Sequence, residues 1–150
     1  MHIIKKITYD NIESFIKNKD FFNAISLNYP EFETWLYTKV FPGLEDETRS
    51  IYVAYKWFKP VGMMILKDTA KEKKISTLYI SPEYKKTGIG SEFINIAVRL
   101  LKNNIIIHMP ESVYNQNCSF FNKHKFRFDY KTYKNNRSEF YLKRTCKEAL

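Results

Sequence analysis

Two of the chain's four glycines, Gly88 and Gly90, fall two residues apart in the string KKTGIGS, between an apolar run and a stretch of helical periodicity. A strand that passes through a glycine-bearing turn into a helix leaves the first backbone N–H groups of that helix unpaired. They sit at the positive end of its dipole, where phosphate binds. Glycine suits such a turn because a side chain would keep phosphate oxygens off the backbone. Lys85 and Lys86 add positive charge beside it. The spacing excludes two phosphate chemistries. No GxxxxGK[ST] occurs, and the dinucleotide pattern GxGxxG would need a third glycine where Phe93 stands. The pyrophosphate of CoA is the reading that remains.

The elements that must position this turn follow from hydrophobic periodicity. His2–Thr8 reads as a first strand, and Asp10 as the cap of a helix carrying Ile12, Phe15 and Ile16. A second helix is expected from Glu31 to Val40, stopped by Pro42-Gly43, with Phe32, Trp35, Leu36 and Val40 on its core face. Ile51–Phe58 and Val61–Lys67 read as a hairpin turning at Lys59-Pro60, followed by a strand at Lys74–Ile80. Phe93, Ile94, Ala97, Leu100 and Leu101 share one helix face, and Asn103-Asn104 ends that helix. Ile105–Met109 is then a strand parallel to Lys74–Ile80, because a helix crosses over between them. A short helix around Gln116–His124 and two strands, Phe126–Tyr133 and Glu139–Arg144, complete an α/β domain over residues 1–150. Its mixed central sheet has six to seven strands flanked by helices. Trp35 and Trp57 are expected in the core or on an acceptor wall.

The string YISPEYKKTGIGSEFI resembles the acetyl-CoA motif of the GCN5-related N-acetyltransferases, Arg/Gln-x-x-Gly-x-Gly/Ala after a strand and a Pro-containing turn. Lys85 stands at the Arg/Gln position. The order of elements is similar from His2 to Arg144, and Ser119–Phe126 is similar to the family's Phe-Tyr-x-x-x-Gly-Phe segment. The resemblance implies a GNAT-like fold with two splayed parallel strands and acetyl-CoA as donor. Along the strand at Leu78, Tyr79 and Ile80, the backbone of Leu78 and Ile80 would pair with the pantetheine arm. Lys85, Lys86, Thr87, Gly88, Ile89, Gly90 and Ser91 would cradle the pyrophosphate, and Asn117 and Phe121 would lie along the cofactor. The acceptor would enter between the early helices and the last hairpin.

Acetyl transfer to an amine needs a base for the ammonium, a donor for the acyl oxygen and a proton for the departing thiolate. Many relatives supply that last proton from a tyrosine that falls at Phe121, and phenylalanine has none to give. Tyr114, Cys118 and Ser119 are the nearby replacements, with Cys118 one helical turn back. His108, at the end of the strand lining the gap, is the first choice of base, and Glu111 after Pro110 the second. His124 and Lys125 read as local variation.

Composition bounds the partners. Two cysteines without CxxC spacing, Cys118 and Cys146, read as reduced thiols of a cytoplasmic protein, and no metal site is visible. No apolar stretch is long enough to cross a bilayer. Residues 121–150 hold nine Lys/Arg against three Asp/Glu, or +6 of a net +9. That leaves two acceptor classes open, an acidic macromolecule such as aminoacyl-tRNA or a small amine drawn to Glu31, Glu33 or Glu45. Two rival functions stand beside the enzyme: a CoA-binding module without turnover, and a nucleic-acid-binding domain using the basic last third. A monomer and a homodimer both fit.

Overall fold

The computed structural model describes residues 2–134 and 136–145. One seven-stranded sheet has the order β1-β2-β3-β4-β5-β7-β6. Its strands are β1 (Ile3–Ile7), β2 (Arg49–Lys56), β3 (Lys59–Asp68), β4 (Lys73–Ile80), β5 (Ile105–Pro110), β6 (Arg127–Lys134) and β7 (Arg137–Arg144). All neighbours are antiparallel except β4 and β5, which the helix α5 (Ile89–Leu101) makes parallel by crossing over.

Each face of the sheet carries its own core. On one face α5 and α6 (Glu111–Lys123) cover Met64, Leu66, Ile75, Ile105 and Ile107. Phe93, Ile94 and Ala97 are the buried stripe of α5 at helical spacing. Phe93 is fully buried, which contributes about 2 kcal/mol from area removed from water. On the other face α1 (Ile12–Ile16), α2 (Lys19–Ser26) and α3 (Phe32–Trp35) close over Ile51, Val53, Met63 and Ile65 with a run of aromatic rings.

Several boundaries differ from the sequence reading, each for a local reason. Asp10 lies inside a 3-10 turn, Tyr9–Asn11, that Thr8 begins; the Thr8 amide donates to the Asn11 side chain at 2.8 Å. The first helical segment breaks at Lys17-Asn18 into α1 and α2. Pro42-Gly43 does not stop the helix. A π-helical turn at Leu36–Val40 follows α3 and admits Pro42 in the first turn of α4 (Phe41–Glu45), where the missing N–H costs nothing. The β2–β3 turn falls at Trp57-Phe58, with Lys59 and Pro60 already in β3. Trp57 is therefore no core residue but 79% exposed at a hairpin tip. α6 starts at Glu111 and bends at Asn117, whose φ of −129° is non-helical. Cys146 lies outside the described residues.

Candidate active site

β4 and β5 pair at only three positions, Lys73 to Ile105, Lys74 to Ile106 and Ile75 to Ile107. Beyond them β5 stays with β7, and β4 stays with β3. The two parallel strands therefore part, and a gap opens after Ile75 and Ile107. A bulge begins the parting: Ile75 faces Leu66 and Thr77 faces Ile65, so Ser76 is the extra residue of β4. The bulge switches sides, putting Thr77 and Tyr79 on the face packed by α1–α4. Thr77 is buried, and its hydroxyl has no hydrogen-bond partner among the described residues.

At the end of β4 a 3-10 turn at Pro82–Tyr84 leads through Lys85–Thr87 into α5. Lys85, Lys86 and Thr87 are exposed. Gly88 caps α5 with a φ of +94°, which favours glycine, and a Cβ there would meet nothing within 4 Å. That open space in front of a helix start is what an incoming phosphate requires. Gly90 has a different reason: a Cβ would come 3.1 Å from the Phe120 ring of α6. Ile89 turns into the core. Ser91 Oγ shares a hydrogen bond of 2.9 Å with His124 Nε2, so His124, expected to be local variation, reaches the start of α5. Partial burial and the charges of Lys123 and Arg144 lower its pKa. Lys125 holds a φ of +69° where the similar family segment has glycine.

His108 lies on the β5 stretch that borders the gap, on the face away from α5 and α6. Its Nδ1–H donates to Glu139 Oε1 at 3.1 Å, and Arg137 Nε donates to the other carboxylate oxygen at 2.9 Å. Glu139 is only 6% exposed, so its charge is held by these two partners. The His108 ring stacks on Tyr141 at 4.8 Å, and Tyr141 on Tyr130 at 4.5 Å, one ring from each of three adjacent strands. Burial first, then the charge of Lys74, pushes the His108 pKa below its ordinary 6.5, against the opposing pull of Glu139. The balance favours the neutral ring.

From the opposite layer Tyr29, between α2 and α3, brings its hydroxyl to 3.4 Å from both the amide nitrogen and the carbonyl oxygen of Leu78. Burial raises its pKa, and it feels the charges of Glu139 and Arg137. Tyr29, Glu139, Arg137 and His124 were not picked out from the sequence. The contacts of Tyr29 with Leu78, Glu139 with His108 and His124 with Ser91 cross 49, 31 and 33 positions of chain, and Arg137 joins them only through Glu139, two positions along the same strand.

The remaining expected residues take these places. Glu111 opens α6 and is exposed. Cys118 is a half-buried free thiol, and Tyr114 packs on Phe140 at 5.2 Å. Asn117 donates from its side chain to the Val113 carbonyl at 2.8 Å across the bend of α6. Phe121 is buried against Phe126 and Phe120. Leu78 and Ile80 are half-buried on the side packed by α5 and α6. Of the acidic residues, Glu33 pairs with Lys19 at 2.8 Å. Glu45 lines a cleft of about 550 Å³ with Tyr9, Asp10, Glu13 and Tyr37, and none of the gap residues borders it.

Known structures share this architecture. An IAA acetyltransferase from Bacillus cereus is 17% identical with a TM-score of 0.67, over 97% of this chain and 99% of that one. The paia N-acetyltransferase from Thermoplasma acidophilum, solved with coenzyme A, is 18% identical with a TM-score of 0.69 over the same shares, 97% and 99%. A GNAT acetyltransferase from Elizabethkingia anophelis with acetyl-CoA bound is 14% identical with a TM-score of 0.63, over 96% and 97%. At these identities the likeness is one of fold. Among curated proteins no sequence matches. The model of the acetyltransferase (GNAT) family matches residues 15–126, which run from α1 through the parted strands and the glycine turn to the end of the α6 segment. The splayed strands, the helix start at Gly88 and that match agree: this chain belongs to the acetyltransferase (GNAT) family.

Proposed function

We propose that the protein is an acetyl-CoA-dependent N-acetyltransferase that passes the acetyl group to a primary amine. The observation that carries the reading is the parting of β4 from β5 after Ile75 and Ile107, beside a helix start with open space at Gly88. The residues fit a CoA thioester. The amides from Lys86 to Ser91 would hold its pyrophosphate, and the backbone edge of Leu78 and Ile80 its pantetheine arm. The Thermoplasma and Elizabethkingia proteins, which carry coenzyme A and acetyl-CoA, support that fit.

Acetyl-CoA supplies an acyl carbon activated by its thiol leaving group. The chain's own work is proton handling and orientation. Glu139 engages Nδ1–H of His108 and leaves Nε2 as the acceptor, and the lowered pKa favours the unprotonated form of that nitrogen. A C–N bond forms and the C–S bond breaks with its electron pair staying on sulfur. Of the two protons the ammonium sheds, one goes through His108 to solvent and the other ends on the thiol. Glu111 could serve as base only from the exposed head of α6. The acceptor enters from the side of α1–α4, where His108, Lys74 and Arg137 meet the gap.

Thiol release from acetyl-CoA over a panel of primary amines tests the reading. The wild type should turn over at least one amine, and His108→Gln should lower kcat by about 10²-fold or more. The acid limb of the wild-type pH profile should lie below pH 6.5, the direction of the His108 shift. Acetyl-CoA binding with no thiol release for any amine would favour the module without turnover, a reading that the missing hydroxyl at Phe121 keeps open.

A further inference from the structure

The resemblance sets Phe121, which has no proton to give, where many relatives carry a tyrosine, yet a hydroxyl reaches the edge of β4 from the other layer. Tyr29 lies on the segment between α2 and α3, with its ring 6.2 Å from that of Phe32. Its oxygen is 3.4 Å from the nitrogen and 3.4 Å from the carbonyl oxygen of Leu78. Ordinary bonds of these kinds run to about 2.7–3.0 Å, so the hydroxyl rests on the strand edge without being tightly held. That edge is the one β5 leaves unpaired, past Ile75. The Leu78 N–H therefore donates to a loosely seated oxygen on the strand edge that faces the gap. The Tyr29 O–H is a second donor alongside it.

We propose that Tyr29 is a catalytic hydrogen-bond donor of the gap: its hydroxyl and the Leu78 amide together receive the acyl oxygen as negative charge gathers on it. The proposal rests on the acetyltransferase reading. When the acyl oxygen takes the Leu78 N–H, the Tyr29 hydroxyl gives up its contact with the Leu78 carbonyl and turns its proton to the same oxygen. No bond to Tyr29 forms or breaks, and the phenol keeps its proton throughout. Burial, the largest influence on its pKa, favours the protonated form that the role requires. Two donors already turned to the acyl oxygen when its charge develops act without reorganising at the moment of reaction. A tyrosine that only ties the helical layer to an unpaired strand edge would make the same contacts and leave the acyl group alone.

Tyr29→Phe separates these roles, because it keeps the ring and its packing. Two readouts are needed: affinity for acetyl-CoA by titration, and the infrared stretch of the carbonyl in bound acetyl-CoA labelled with carbon-13 at that position. The expected result is unchanged affinity, a carbonyl stretch at lower frequency in the wild type than in Tyr29→Phe, and a fall in kcat of about 10²–10³. Equal stretching frequencies in the two proteins would overturn the proposal even if the variant were less stable to heat. A wild type that does not bind acetyl-CoA would overturn the acetyltransferase reading first and this role with it, and the titration alone reveals that case.

Discussion

Glu139 is the residue whose charge sets the character of the gap, since it is buried and shared between His108 and Arg137. Its carboxylate raises the His108 pKa, while burial and Lys74 lower it and prevail. Removing the charge leaves the lowering influences unopposed. Glu139→Gln should therefore shift the acid limb of the kcat/KM profile to lower pH, while His108→Gln should abolish that limb. An unchanged limb in Glu139→Gln would separate the two residues. The same shift has a sign for stability. Folded His108 binds its proton less readily than unfolded, so its contribution is whole above pH 6.5 and is lost as pH falls below it. At this scale the sequence was legible where a residue type is demanded by backbone geometry. Gly88 has the positive φ that the turn requires. His108 could be placed because it ends an apolar strand. Glu139 could not, because only the pairing of β5 with β7 brings position 139 beside position 108.

The elements show where local pattern and local strain part company. Trp57 and Phe58 form the two-residue β2–β3 turn with φ values of 54° and 65°, a conformation that favours Asn-Gly over bulky side chains. Phe58 is 98% exposed, so packing offsets none of the strain. Replacing the pair by Asn-Gly should stabilise the fold by about 2 kcal/mol, read as a higher denaturant midpoint at unchanged slope. No gain would mean that the tip is held by contacts beyond the hairpin. This turn is also why the sequence reading set the hairpin at Lys59-Pro60: proline signals a turn, but at the second position of β3 it is paired with Tyr55. Pro42 misled in the same direction, since the π turn before it lets the helix continue. Strand runs, by contrast, were readable to within two residues at either end, because a strand covered on both faces, as β3 is, reads as an unbroken apolar run bounded by polar residues.

Across the whole molecule the sheet is a partition with one core on each side, and the gap is where both sides meet. The order of elements made the parallel β4–β5 pair inferable from the crossover rule, and the parted ends came with the family resemblance. What chain order does not tell is that β7 inserts between β5 and β6, which puts the basic last hairpin beside the gap. The proposed donor site draws on α5 and β4 and the proposed acceptor side on α1–α4 and β7, and the central claim concerns the first of these. Isothermal titration of acetyl-CoA into the wild type and into Gly88→Ala, with circular dichroism to establish that the variant is folded, tests it most directly. A methyl group at position 88 faces open space in the protein but is strained by the φ of +94°, so the variant disturbs both the approach to the turn and the turn's own backbone. The account predicts a saturable complex with the wild type and at least ~10-fold weaker binding by the variant, a loss of about 1.4 kcal/mol. No binding by the wild type, or equal binding by a folded Gly88→Ala, would contradict it.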